Sequence, residues 1–351
     1  MLPGIFAKAA TWQPPADWLC IEAIEMHTGG EPLRVLLAGL PEIGGGTVLE
    51  KRRYFRDHLD WLRRALVWEP RGHADMYAAV VSPSVDADAD VFFLHNEGYS
   101  TMCGHAIIAL TTLAAELDVQ AAPALAPSRT VTIRYRVPAG IVEGRAVIDA
   151  AGSKTISFTN VPSFAYALDL QIDIPGVGPI SLDIGYGGAF YAVVEAEQAG
   201  VSLALESSAA LIDLGRRIKK AVMDACVIEH PFEPDLSFLY GTIFTGPATS
   251  PLNHSRNVCV FADGEIDRSP TGSGVSARIA IEVARGRIPL GSTISIESIV
   301  GSTFTVRALE RAVVGKYPAV VPEVSGTAFI TGRSKFWIDP ADPFRTGFLI
   351  R

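Results

Sequence analysis

The chain has 351 residues, 48% of them hydrophobic, and a net charge of −8 with no basic cluster, which excludes nucleic acid and anionic membrane as electrostatically favoured partners. It is longer than one core usually serves, so two domains are expected, and no stretch is long and apolar enough for an uninterrupted membrane span. The four cysteines, Cys20, Cys103, Cys226 and Cys259, include no CxxC pair, which fits reduced thiols in a cytoplasmic protein better than a disulfide framework or a structural zinc.

Residues 1–17, interrupted by Pro3, Pro14 and Pro15, read as a loose extension rather than a signal peptide. Ile21 to Met26 reads as a strand entering the loop His27-Thr28-Gly29-Gly30-Glu31-Pro32, and Leu33 to Leu37 as its return. Phe55, Leu59, Leu62 and Leu66 recur at spacings of four, three and four, one apolar helical face. Lys51, Arg52, Arg53, Asp57, Arg63 and Arg64 fall mostly on the other face, and Pro70 ends the run. A loop dense in ionisable groups, Glu69 to Met76, precedes a strand through Val80 and Val81, and Val91 to His95 is a further strand. After Cys103 comes a helix apolar almost all round, as buried helices are. Thr130 to Val137 and Ile141 to Ile148 form a hairpin about Pro138-Ala139-Gly140, and 156–165 is the expected domain boundary.

The second half repeats this outline. Gly185-Tyr186-Gly187-Gly188 echoes the first Gly-Gly loop, and Leu211, Leu214, Ile218 and Val222 form a second apolar stripe. A strand follows at Val258 to Phe261, then a turn at Thr271 and a helix carrying Val275, Ile279 and Val283, closed by Gly286. The offsets, roughly 155–170 residues, approach the size of one domain. They predict two related domains, 18–163 with 335–351 and 164–334, each aiming a helix N-terminus at a shared cleft.

Two stretches dominate. In Ser100 to Leu110, Cys103 stands where a loop becomes a helix, followed by the small residues Gly104 and Ala106, so first-turn N–H groups can lie open to an anion. A helix start also lowers the pKa of a thiol placed there. Asp267 to Ala277 has the same layout, with Thr271 in the place of Cys103.

With Asp75 in Arg71-Gly72-His73-Ala74-Asp75-Met76, the Met102-Cys103-Gly104-His105 motif, Arg256 to Gly264, Asp267-Arg268-Ser269-Pro270 and the Asp339-Pro340 tail, the chain resembles the proline racemase family from about residue 20 onward. The resemblance implies an α/β (α+β) fold of the diaminopimelate-epimerase type: two similar domains, each a curved, mainly antiparallel sheet around a central helix, with the active site between them. It also implies cofactor-free proton chemistry at Cα of proline or a hydroxyproline. Family racemases and epimerases carry a second cysteine where this chain has Thr271. Threonine there resembles the trans-3-hydroxy-L-proline dehydratase branch.

Each candidate has a plainer explanation. Free cysteine is often a small buried hydrophobe, but the helix start beside Gly104 and His105 favours Cys103 as the base. His105 could be a surface histidine; the family motif places it against the substrate ring nitrogen or hydroxyl. Asp267 could cap the turn before Ser269-Pro270; the resemblance makes it the partner of the substrate ammonium. Gly104, Gly272 and Ser273 would offer backbone N–H groups to the carboxylate and to the enediolate-like species formed when Cα loses its proton. That help is needed because no pyridoxal phosphate, metal or Rossmann motif supplies an electron sink.

A hydroxyl has no useful anionic fraction near neutral pH, so Thr271 cannot act as a second base without an activating partner. Racemisation needs a base on each face of Cα; loss of water from trans-3-hydroxy-L-proline needs one, because its Cα hydrogen and 3-hydroxyl share a face. The competing expectations are a racemase or 4-hydroxyproline epimerase, and an amino-acid binder without activity. Cys259 sits in an apolar strand and reads as core, while His27, His73 and Asp75 are pocket-wall or bridging residues. The expected partner is a small hydroxyproline; a homodimer is left open.

Overall fold

The computed structural model describes residues 4–121 and 128–350. The first half opens with a hairpin of β1 (Leu19–Thr28) and β2 (Glu31–Ala38), turned by Gly29 and Gly30 at φ of 58° and 95°, values that glycine adopts without strain. Then come α1 (Val48–His58), α2 (Asp60–Val67), β3 (Ala78–Ser82), β4 (Ala89–Leu94) and the short β5 (Tyr99–Ser100). The half continues through α3 (Gly104–Ala121), β6 (Arg129–Val137), β7 (Gly140–Ile148), β8 (Lys154–Thr159) and β9 (Ser163–Ile174).

The second half runs β10 (Gly178–Tyr186), β11 (Phe190–Glu195), α4 (Ser208–Ala225), β12 (Leu239–Gly246), β13 (Ser255–Phe261), β14 (Glu265–Ile266) and α5 (Gly272–Ala284). It ends with β15 (Thr293–Glu297), β16 (Thr303–Val314), β17 (Tyr317–Gly326) and β18 (Ala328–Ile338).

The halves share one pairing scheme. β2–β3 and β4–β6 are parallel, and β1–β2, β3–β4, β4–β5, β6–β7 and β7–β8 antiparallel. β11–β12 and β13–β15 repeat the parallel pairs, and β10–β11, β12–β13, β13–β14, β15–β16 and β16–β17 the antiparallel ones. β9 lies against β10 while β18 lies against β1, so the tail returns to the first hairpin. β17 also pairs with β8 and β9, which make up most of 156–165, and so joins the halves into one sheet.

Each half wraps its sheet around one helix. α3 packs on β1, β6, β7, β8 and β18, and α5 on β9, β10, β16 and β17. Ile107, Ile108 and Leu110 of α3 and Val275 and Ile279 of α5 are buried, each side chain worth about 1.5–3 kcal/mol out of water. The amphipathic helices cover the outer faces: Leu211, Leu214, Ile218 and Val222 of α4 are all buried. Among the described residues no helix is long and apolar enough to cross a membrane.

Three expectations change. The apolar run from Phe55 to Leu66 is two helices, broken at Leu59 (φ −125°, ψ 11°), although Phe55, Leu59, Leu62 and Leu66 are all buried as expected. The break turns Arg63 inward: it is 5% exposed, and its guanidinium bonds Asp60 (2.7 Å) and donates to the carbonyls of His95 (2.9 Å) and Asn96 (2.7 Å). Finally, the expected loose extension contains a 3-10 helix, Gly4–Thr11, after which Trp12 meets Trp18 and Trp337 edge-on at 5.9 and 5.1 Å.

Candidate active site

The two central helices meet end to end. A Cβ on Gly104 would lie 2.5 Å from Gly272 Cα, and one on Gly272 would lie 2.6 Å from Gly104 Cα. Only glycine at both positions permits this approach. The first-turn N–H groups of α3 and α5 have no acceptor within their own helices, so two positive helix ends converge on one spot.

Each Gly-Gly hairpin is seated on the other half's loop. A Cβ on Gly30 would meet Arg268 at 3.4 Å, and one on Gly188 would meet Met102 at 2.6 Å. Thr101 Oγ1 donates to Gly188 O (2.6 Å), and the Arg268 N–H donates to Glu31 Oε2 (2.7 Å). The glycine echo in the sequence thus marks a reciprocal grip of each half on the other's helix-start loop.

Above the helix ends lies a cavity of about 260 Å3. It suits a ring the size of proline rather than a nucleotide. Cys103, Gly104, His105, Asp267, Thr271, Gly272 and Ser273 all line it, so the residues expected to act on or bind the substrate lie together, while His27, His73 and Asp75 are not in its wall. Cys103 to His105 come from the α3 end and Asp267 to Ser273 from the α5 end.

His105 Nδ1 is 3.2 Å from Cys103 Sγ, and Thr28 Oγ1 donates to the His105 carbonyl at 2.8 Å. Burial drives the His105 pKa down to about 3, so its ring is neutral. The Asp267 carboxylate accepts from the Ser269 N–H (2.7 Å), and burial lifts its pKa to about 6. Burial also raises the Cys103 thiol well above its ordinary value; the Ala106 N–H and the Tyr77 phenol pull it down, while Asp267 and Glu31 push it up. The helix start therefore does favour the thiolate, but desolvation outweighs it.

Thr271 is the strained residue. A β-branched side chain at φ 69° costs about 1–3 kcal/mol, and here it begins α5 without capping it. Its hydroxyl is buried with no aligned hydrogen-bond partner, although it lies near enough to Asp267 to favour that carboxylate.

The sequence reading missed Tyr77, Met102, Tyr191, Tyr240 and Phe261, which form the rest of the cavity wall. It also missed Glu31, fully buried with Oε1 unpartnered and its pKa raised by desolvation and by Asp267. The apolar surroundings of Tyr77, Tyr191, Tyr240 and Phe261 are those of ordinary core segments, so no local signal marks them, whereas Met102 and Glu31 stand in stretches the sequence had already singled out.

The bridging residues differ among themselves. Asp75 pairs with Arg268 at 2.9 Å and His73 Nδ1 accepts from the Asp75 N–H, so that loop ties the Asp267 segment to the first half. His27 accepts from the Gly30 N–H and lies on Phe329, outside the cavity. Cys259 is wholly buried on β13, as core packing predicted.

Comparison with known proteins decides the family. The proline racemase profile matches residues 23–349. The chain belongs to the proline racemase family. A Colwellia psychrerythraea protein named trans-3-hydroxy-L-proline dehydratase is 47% identical over 98% of this chain and 97% of its own length. A Burkholderia multivorans protein named 3-hydroxyproline 2-epimerase is 42% identical over 94% of this chain and 98% of its own. Among solved structures, a hydroxyproline epimerase from Agrobacterium vitis with bound trans-4-hydroxy-L-proline superposes with a TM-score of 0.88 at 30% identity, covering 95% of this chain and 96% of that one. The expected two-part α+β architecture is thus that of solved family members.

Proposed function

We propose that this family member dehydrates trans-3-hydroxy-L-proline to Δ1-pyrroline-2-carboxylate. The observation that carries the reading is the cavity's single thiol, Cys103, opposite a threonine hydroxyl that makes no hydrogen bond among the described residues. Here the substrate carboxylate takes the first-turn N–H groups of Gly104, Gly272 and Ser273, and the ring ammonium sits between Asp267 and His105. That cation, brought against Cys103 and the Asp267 carboxylate, offsets the desolvation that keeps the Cys103 thiol protonated and the carboxyl pKa raised. The Cys103 thiolate then takes the Cα proton, the helix ends hold the enediolate-like charge, and the C3–O bond breaks on the same face. The resulting enamine tautomerises to the imine. No electron-sink cofactor is required by these steps. The two halves, 18–163 with 335–351 and 164–334, act as the two jaws of the site.

The Burkholderia relative's name favours a second reading, epimerisation of 3-hydroxyproline. One assay in D2O separates them. A dehydratase consumes trans-3-hydroxy-L-proline and yields the imine; an epimerase returns inverted substrate labelled at Cα; a binder without activity does neither. Recovery of inverted, labelled substrate with no imine would overturn the proposal.

A further inference from the structure

Breaking the C3–O bond releases a hydroxide equivalent, a poor leaving group unless it is protonated. In trans-3-hydroxy-L-proline the hydroxyl lies on the Cα–H face of the ring, so any group that assists it stands on the Cys103 side of the cavity. Tyr191 does not: its hydroxyl is 2.7 Å from Ser273 Oγ, on the Thr271 helix. Met102 and Phe261 have no proton to give, and the neutral His105 ring is held between Cys103 Sγ and the Pro32 backbone.

Tyr77 remains. Its ring lies edge-on to His105 at 4.8 Å, and its phenol is close enough to Cys103 to favour the thiolate. Its hydroxyl is 2.6 Å from Ser100 Oγ and 3.3 Å from Tyr240 OH. Ser100 Oγ has a much longer alternative acceptor, Met102 O at 3.4 Å. Its proton is therefore best used on the Tyr77 oxygen, which leaves the Tyr77 proton facing the cavity.

We infer that Tyr77 is the catalytic acid that protonates the departing 3-hydroxyl. The inference rests on the dehydratase reading and refines it: Cys103 need not carry the proton across to the oxygen itself. The Cα–H bond breaks and its proton passes to Cys103 Sγ; its electron pair forms the Cα=C3 bond. The C3–O bond breaks, and the oxygen takes the Tyr77 proton and leaves as water. The Tyr77 phenolate then recovers a proton from the adjacent Cys103 thiol, which restores both groups with no other reactant. Burial holds the phenol pKa well above its ordinary value, so the resting residue is protonated and the phenolate returns quickly to phenol.

The test compares leaving groups. Tyr77→Phe is assayed with trans-3-hydroxy-L-proline and with trans-3-chloro-L-proline, whose chloride departs without a proton. General acids contribute about 10²–10⁴-fold, so kcat on the hydroxy compound should fall at least about 100-fold while kcat on the chloro compound falls less than about fivefold. The ratio is read within one preparation, so the folded fraction cancels. If Tyr77→Phe is too unstable to purify, Ser100→Ala, which removes the hydroxyl that orients the phenol, should produce the same leaving-group bias at smaller size. Tyr191→Phe should lower both substrates by one common factor. An equal loss on both substrates in Tyr77→Phe, or no loss on either, overturns the inference while leaving the dehydratase reading intact. Wild-type enzyme that converts neither compound overturns the reading itself.

Discussion

Replacing Gly104 by alanine tests whether the contact between helix ends builds the site. The new Cβ would stand 2.5 Å from Gly272 Cα, 2.9 Å from Gly272 C and 3.0 Å from Phe158 Cζ. Unbonded carbons rest at about 3.5–4.0 Å, so the helix ends must part by about 1 Å. Overpacking of this kind costs about 1–3 kcal/mol. With an unfolding entropy of about 2.1 cal/mol/K per residue, roughly 0.7 kcal/mol/K for a chain of this length, Tm should fall by only about 1–4 °C. A displacement of that size at a reacting centre costs on the order of 100-fold in rate. The expected signature is therefore a large loss of kcat/KM with a small loss of Tm, measured by initial rates and calorimetry on the same sample. Gly272→Ala should behave alike, and the double variant should lose less than the sum, because the first alanine already makes room for the second. Activity within about threefold of wild type in Gly104→Ala would show that the helix ends need not touch, and the carboxylate cradle would have to be sought elsewhere.

Three further outcomes follow from the site. Asp267, whose carboxyl rises to about 6 from an ordinary 3.8, takes up a proton on folding, so stability of the ligand-free protein should fall as pH climbs through that window and stay lowered above it. Asp267→Asn removes the penalty: melting curves should show it stabilised against wild type by an order of 2–3 kcal/mol at pH 7 and little at pH 4, while calorimetric titration shows weaker binding of proline-like ammonium carboxylates. Cys103→Ser should abolish turnover whereas Cys20→Ser and Cys226→Ser retain it; imine formation by Cys103→Ser would mean another group takes the Cα proton. Thr271→Cys should begin to label and invert Cα of proline or 4-hydroxyproline in D2O, with stability kept or improved because cysteine lacks the β-branch that strains φ 69°; wild type that already inverts them would remove Thr271 as the determinant.

What the sequence made legible was whatever repeats. The run into Cys103 and the run into Thr271 were matched by residue type, and the folded chain brings both to one cavity. The Gly-Gly echo was visible too, but its reason was not. A hairpin glycine reads as a turn requirement, whereas Gly188 is also held small by Met102, which lies 86 residues earlier in the chain. The same non-locality hid Tyr77 and Tyr240. Each stands among apolar neighbours like any core tyrosine, and only the folding of β3 against β12's half puts their hydroxyls 3.3 Å apart. Arg63 was misplaced for a related reason: a helical wheel assumes one straight helix, and the turn at Leu59 resets the wheel.

Cys103 shows where local reasoning meets its limit in energy rather than in geometry. The helix start does act on the thiol, through the Ala106 N–H, as its place in the sequence implied. A helix end contributes about 0.3–1 kcal/mol at an exposed position, whereas burying a charge without a partner costs several. The buried thiol is therefore held protonated, next to a neutral histidine and two acidic side chains whose charge would have the same sign as its own anion. In the proposed reaction a zwitterion with a cation on one side and a carboxylate on the other would invert that balance: its ammonium would face Asp267, Glu31 and Cys103, and its carboxylate the two helix ends. The selectivity for an amino acid and the basicity of the thiol would then have one cause. A substrate analogue lacking the ammonium should therefore fail to generate the base, whatever its fit to the cavity, and a thiolate absorbance that rises equally with such an analogue would refute this.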